Sequence, residues 1–451
     1  MKEFFKMKKY YDAVEKYSEL IHKCHEYVWA NPETGYKEYK TSAYLASEFE
    51  KLGYKLTYAE GITGFITEID TGRKGPTILV LGELDSLICA DHPEADSETG
   101  AVHCCGHSAQ CAALLGLAAA LTEPHIRDNM CGKIRLCAVP AEELIEIEYR
   151  KKLIAEGKIS YMGGKPEFLK RGLFDGVDMA FMVHTTISDA YIVKKSFSVG
   201  CVAKKITFKG RSSHAGGSPW NGINALYAAN LGLNAANALR ETFKEQDYIR
   251  FHPIITTGGN AVNAIPDRVV IESYVRGISY EAIKDANERI NRALTGAALS
   301  MGANVDIEDI PGYSPVNNNH MLADVAVKAF NEIMPEGKIV VSEAVGTGST
   351  DMGDLSTIMP ILHPYANGST GFSHGSNYKV ENVQTACVDS AKWQLAMLDV
   401  LLRDNGAEAK KILDSFTPYF KSKEEYFEYM DSFSRSGDRI EYSDKEATVK
   451  L

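Results

Sequence analysis

Three short apolar runs, at residues 77–81, 133–139 and 177–183, constrain the fold of this 451-residue chain more than any other feature. Each is too short for an independent helix and too continuously apolar for a half-exposed strand. Runs of this kind read as strands buried on both faces, the signature of a parallel sheet covered by helices. Each also leads into residues able to hold a proton or a metal. The first passes into Glu83 and Asp85, the second into Pro140, Ala141, Glu142 and Glu143, and the third into His184. In open α/β sheets, sites lie in the crevice beyond the carboxyl ends of the strands.

Between the first two strands stands His103-Cys104-Cys105-Gly106-His107, directly before an apolar helix pattern over 108–121. A glycine between a thiol and an imidazole lets the chain turn sharply, and a helix start favours a thiolate. Two readings fit the pentad alone: a metal site, or a buried cysteine beside a capping histidine. The Glu142-Glu143 pair likewise reads either as a solvated acidic loop or as buried carboxylates that need a cation. Taken together, Cys105, His107, Glu143, His184 and His374 are five ligand-type residues at element ends or loops. A pair of divalent cations sharing one bridging ligand would be satisfied by such a set. Glu142 would then be left over as a general base beside the cations.

The first helix is expected over 9–31 and a second over 41–52, with Thr41 as N-cap and Gly53 ending it. From about residue 195 the strands change character and alternate apolar with polar residues. The order β-α-β-β-α-β over 195–312 suggests a ferredoxin-like α+β domain inserted into the α/β/α domain, which comprises 1–194 plus 313–451. The tail after 404 is charged and aromatic and is expected to fold as helices over the surface. A formal charge of −11 argues against nucleic-acid binding as the main business. The first residues do not read as a secretory signal, and no apolar run is long enough to span a bilayer. Nine cysteines, an odd number without framework spacing, fit a reducing, cytoplasmic setting.

An ordered series of motifs resembles the M20 metallopeptidases, above all the amidohydrolase subgroup with aminoacylases, auxin-conjugate hydrolases and aminobenzoyl-glutamate hydrolases. The series is 31–35 (Asn-Pro-Glu-Thr-Gly), Leu84-Asp85, Cys105-Gly106-His107, 140–143, His184, His214-Ala215 with Pro219-Trp220, 263–266, and 348–354. The likeness covers about the first 400 residues. It implies a phosphorylase/hydrolase-like catalytic domain in which Cys105 bridges two metals, Zn or Mn. Glu143 and His374 would complete one site, His107 and His184 the other, with Glu142 as general base and acid. It further implies that the inserted domain is a lid and homodimerisation domain, with His214 reaching the partner subunit's active site and Asn263 and Arg276 contacting a substrate carboxylate. The expected activity is hydrolysis of an amide in an N-acyl amino acid, an aminobenzoyl-glutamate-like compound or a small dipeptide. The alternative is a metal-bound ligand-binding protein without turnover, which would have no need of Glu142. A redox role for Cys104-Cys105 is disfavoured, because vicinal cysteines form strained disulfides and no Cys-x-x-Cys is present. The chain departs from the subgroup at Ser86, Ile88, Ser108, Ala109 and Thr185, and in an acidic loop containing His92. The segment 144–175, with Glu146 and Glu148, resembles the aminobenzoyl-glutamate and dipeptidase branch.

Overall fold

The computed structural model describes residues 2–450. The chain forms a mixed α/β fold that divides into two compact units. The first comprises 1–197, 317–345 and 350–423; the second comprises 198–316, 346–349 and 424–451.

The first unit is built on a six-stranded sheet. Its order is Thr57–Tyr58, Phe65–Asp70, Lys133–Val139, Thr77–Glu83, Met179–Phe181 and Ile361–Leu362. The last four strands are mutually parallel, and the first two run antiparallel at the edge. Every residue of Thr77–Glu83 is buried, as its apolar run requires. The helix His107–Thr122 packs on this strand and is buried from His107 to Leu121, between the sheet and the helices Ser18–Ala30 and Ser390–Leu402. A helix apolar on all sides belongs in such a place. Burying each of its leucines contributes about 1.5–3 kcal/mol. A second, four-stranded sheet has the order Ile339–Ser342, Tyr191–Lys194, Tyr365–Ala366, His184–Thr185.

Two helix expectations need correction. The first helix is two, Lys2–Glu15 and Ser18–Ala30. The break lets Lys16 and Tyr17 both reach Glu123, at 2.6 and 2.5 Å. The next helix starts at Tyr39, so Thr41 is not its cap. Instead the Glu33 carboxylate accepts the N–H groups of Lys40 and Thr41 at 2.9 and 3.0 Å.

The second unit holds an antiparallel sheet of order Arg250–Phe251, Arg268–Gly277, Gly200–Lys209, Asn304–Tyr313, with Ile254–Thr257 also pairing on Arg268–Gly277. Helices Ala225–Ala238 and Tyr280–Ser300 pack on it and give the β-α-β-β-α-β order. Asn224 and Ser279 cap these helices with their side chains. Residues 424–451 cluster with this unit, whereas the sequence reading left the whole tail with the outer domain. The reason is hydrogen bonding: Asp309 and Arg435 exchange both backbone bonds, and Arg439 N–H donates to the Val305 carbonyl. The tail ends in a hairpin, Ile440–Tyr442 with Ala447–Val449, rather than in helices alone. Ile440 is buried in the unit's core.

Candidate metal centre

Six expected side chains, Cys105, His107, Glu142, Glu143, His184 and His374, lie in the first unit. They converge in three overlapping groups whose donor atoms lie within 4.8 Å of one another: Cys105, His107, His184; Cys105, Glu143, His374; and Glu83, His107, Glu142. Cys105 belongs to two of these groups.

The local backbone explains the convergence. Gly106 turns at φ +103°, and a Cβ there would collide with the Thr185 hydroxyl and the Tyr378 phenol. That turn separates Cys105 from His107, the first residue of the long helix. Ala141, directly before the two glutamates, and His374 are both held at positive φ, 56° and 62°. Such strain persists only where surrounding structure fixes it.

Hydrogen bonds then aim the donors. His107 Nδ1 lies 2.8 Å from the Asp85 carbonyl oxygen and 3.3 Å from its carboxylate, which leaves Nε2 facing the site. Asp85 also accepts the Glu143 N–H at 2.8 Å. Cys105 Sγ is 3.4 Å from His184 Nε2, and His374 Nε2 is 3.4 Å from Glu143 Oε1. His107 Nε2 and Glu143 Oε1 are buried and have no hydrogen-bond partner among the described residues.

Burial, with Glu83 and Glu143 adding to it, pushes the Glu142 carboxyl well above its ordinary range. Burial and Glu143 likewise raise the Cys105 thiol. Burial, reinforced by His107, lowers His184 to about 4. Burial opposes protonation of His107, but the Glu83 carboxylate 3.1 Å away, Cys105 and Asp85 together outweigh it and raise that imidazole. A soft thiol, imidazoles and carboxylates crowded together, with orphaned buried donor atoms, fit a divalent cation site. A cation would also favour the thiolate that burial otherwise penalises.

Lys165 supports this centre and carries no strong signal in the sequence. Glu83 Oε1 takes a 2.5 Å bond from Lys165 Nζ, and Glu83 Oε2 accepts from Gln110 at 2.8 Å. Lys165 also binds Asp351 through both its ammonium and its backbone N–H, the latter at 2.9 Å. Lys165 gets there because Gly164 lies against the Pro140 carbonyl, where a Cβ would not fit. Glu146 is bound to Lys37 and Thr34 at 2.6 and 2.5 Å, and His92 to the Tyr378 carbonyl at 2.9 Å.

The remaining expected residues belong to the second unit. His214 is exposed, and its Nδ1 accepts from Gly217 N–H at 2.8 Å. Its loop is tied to that of Asn263 by the bond from Ala215 N–H to the Asn263 carbonyl, 2.9 Å. Arg276 is anchored rather than free: its Nε lies 3.2 Å from His252 Nε2 and Nη1 3.4 Å from the Ser349 hydroxyl.

The family described as peptidase family M20/M25/M40 matches residues 79–398. The chain is similar to a mouse (Mus musculus) Xaa-Arg dipeptidase, 28% identical over 383 residues, with 81% of each chain covered. It is 25% identical over 401 residues to an N-acetyl-L-cysteine deacetylase of Bacillus subtilis, covering 84% of this chain and 87% of that one. Among solved structures, a Bacillus subtilis protein described as a dinuclear metal binding peptidase from M20 family matches with a TM-score of 0.64. That pair is 20% identical, and the match covers 86% of this chain and 99% of the other.

Proposed function

The chain belongs to peptidase family M20/M25/M40, and from that premise we propose that it hydrolyses the amide bond of an N-acyl amino acid, an aminobenzoyl-glutamate-like compound or a small dipeptide, using two divalent metal ions. The observation that carries this reading is the sharing of Cys105 between two donor groups, one with His107 and His184 and the other with Glu143 and His374. In this reading Cys105 would be shared by both ions, with His107 and His184 helping to hold one and Glu143 and His374 the other. The ions are Zn or Mn, since a mixed thiolate, imidazole and carboxylate set serves either. Bound there, they would supply Lewis acidity toward the amide carbonyl and toward water.

The protein's own part in the reaction falls to Glu142. Its Oε2 lies 3.9 Å from His107 Nε2, at the margin of the donor groups rather than inside the Cys105-sharing pairs. It takes a proton from the attacking water and returns it to the leaving nitrogen. Asp85 holds the His107 ring through Nδ1 and fixes Glu143 through its backbone. In the second unit, exposed His214 and Asn263 and the anchored Arg276 serve the substrate: His214 stabilises the oxyanion of a partner subunit's site, and the other two receive a carboxylate. That unit acts as lid and dimerisation domain, and the exposed Ile254, Ile255 and Val262 are apolar side chains such a role could use. None of the nine cysteines is in a disulfide, and we place the work in the cytoplasm.

Glu142→Gln tests the reading. Turnover of an acyl-amino-acid panel should fall by roughly 10²–10⁴-fold while metal content is unchanged. Equal turnover by the variant would refute the assignment of the base. A wild type that binds metal yet cleaves no amide would favour a binding protein instead.

A further inference from the structure

The small four-stranded sheet of the first unit sets His184, Tyr365, Ile192 and Val340 in one cross-strand row. His184 pairs with Tyr365, Tyr365 with Ile192, and Ile192 with Val340. Residues paired across strands share a face, as do residues two apart on one strand. Lys194 therefore stands on the same face as His184. Tyr191 and Val193 point the other way, into the core, with Tyr191 against Phe330 and Trp393.

Lys194 is an unusual cation. Its ammonium lies 4.8 Å from the centroid of the Tyr365 ring. Among the described residues no carboxylate comes within ion-pair distance of it, although the adjacent Lys195 is paired with Asp324 at 2.5 Å. Burial alone lowers its affinity for a proton, with no acid acting against that. Beside it, the His363 ring lies 5.0 Å from Tyr365 and 5.6 Å from His184. His363 is 5% exposed, and its Nε2 has no hydrogen-bond partner among the described residues. A half-buried ammonium and a buried ring nitrogen, both without partners, thus sit together one row from a candidate metal ligand. Groups left in this state take a partner from water or from a ligand. An anion of planar, two-oxygen geometry suits both donors.

We propose that Lys194 and His363, with the Tyr365 ring between them, bind a carboxylate of the substrate, so that the preferred amides carry an acidic side chain, as N-acyl-glutamates do. The proposal rests on the hydrolase reading above and narrows it to one substrate class. It stands on the first unit alone and is separate from the carboxylate contacts assigned to Asn263 and Arg276.

Glutarate is the binding probe, and N-acetyl-L-glutamate and N-acetyl-L-alanine are the substrates, with Lys194→Met keeping the aliphatic stem over Tyr365 and Lys194→Arg keeping the charge. Lys194→Met should weaken glutarate binding in equilibrium dialysis by roughly tenfold or more, the effect of one charge-assisted hydrogen bond. It should raise KM for N-acetyl-L-glutamate to a similar degree without changing kcat or the KM of N-acetyl-L-alanine. Lys194→Arg should stay close to wild type in all three. Glutarate binding equal in wild type and Lys194→Met overturns the proposal, as does cleavage of the acidic and neutral amides with the same preference by both. In the latter case the hydrolase reading survives. Lys194-dependent glutarate binding in a protein that cleaves no amide supports the anion site and removes the hydrolase reading.

Discussion

Replacing Lys165 with methionine probes the support beneath the metal centre. The Lys165 side chain and its two partners, Glu83 and Asp351, are 0–1% exposed, so none of the three charges has water to fall back on. Methionine fills much the same space but leaves the buried Asp351 carboxylate without a cation and Glu83 with only the His107 imidazole. Breaking a buried pair in this way costs about 3–5 kcal/mol. At about 2–4 °C per kcal/mol for a domain of this size class, the midpoint of thermal unfolding should drop by about 10 °C. Asp351 is already raised to about 6, with burial pushing it up against the pull of Lys165. Loss of Lys165 therefore drives it higher, and protonation relieves the repulsion, so the deficit should shrink as pH falls from 7 toward 5. The assay is urea unfolding of metal-stripped protein at both pH values. The triple variant K165M/E83Q/D351N, which removes all three charges, should recover most of the loss. The reasoning fails if Lys165→Met unfolds within about 1 kcal/mol of wild type at pH 7.

Two further outcomes follow from other parts of the first unit. Gly106→Ala forces a side chain into the left-handed region and against Thr185 and Tyr378; a loss of about 2–5 kcal/mol is expected in urea unfolding, and a loss below 1 would contradict the geometry. His25 is buried beside Trp29, and burial, with His22 adding to it, lowers it to about 4. The unfolded chain thus takes up a proton near pH 6.5 that the folded chain refuses until about 4, so stability is full above 6.5 and declines as pH falls through that window. His25→Phe should flatten the decline by on the order of 2–3 kcal/mol, and identical stability-versus-pH curves for the two proteins would remove His25 as a cause.

The parallel sheet and the donor set were legible because each depends on short-range pattern. The apolar run before Glu83 reads as a covered strand, Glu143 and His184 follow strand ends, and Cys105 and His107 stand at a helix start. Residues whose role is to neutralise one another were not legible. Lys165 follows two glycines, and nothing local says that its ammonium reaches Glu83, 82 positions away. Asp351 sits inside a quoted motif, yet its partner is 186 positions away. Nothing local marks His363 or Lys194: the register of the second sheet puts Lys194 on the face of His184, and the chain leading into Tyr365 brings the His363 ring to 5.6 Å from His184. The misjudged helix starts have a similar origin: Glu123 and Glu33 satisfy backbone and side-chain groups that sequence assigns to nearer neighbours.

The second unit's sheet has unequal borders. Along Asn304–Tyr313 the C-terminal tail supplies its own backbone partners, so that side is closed to any other strand. Along 250–257 no described strand lies outside, and Ile254 and Ile255 are 62% and 46% exposed. A sheet that can be extended in only one direction cannot propagate. Two copies meeting there would use up each other's only growing end.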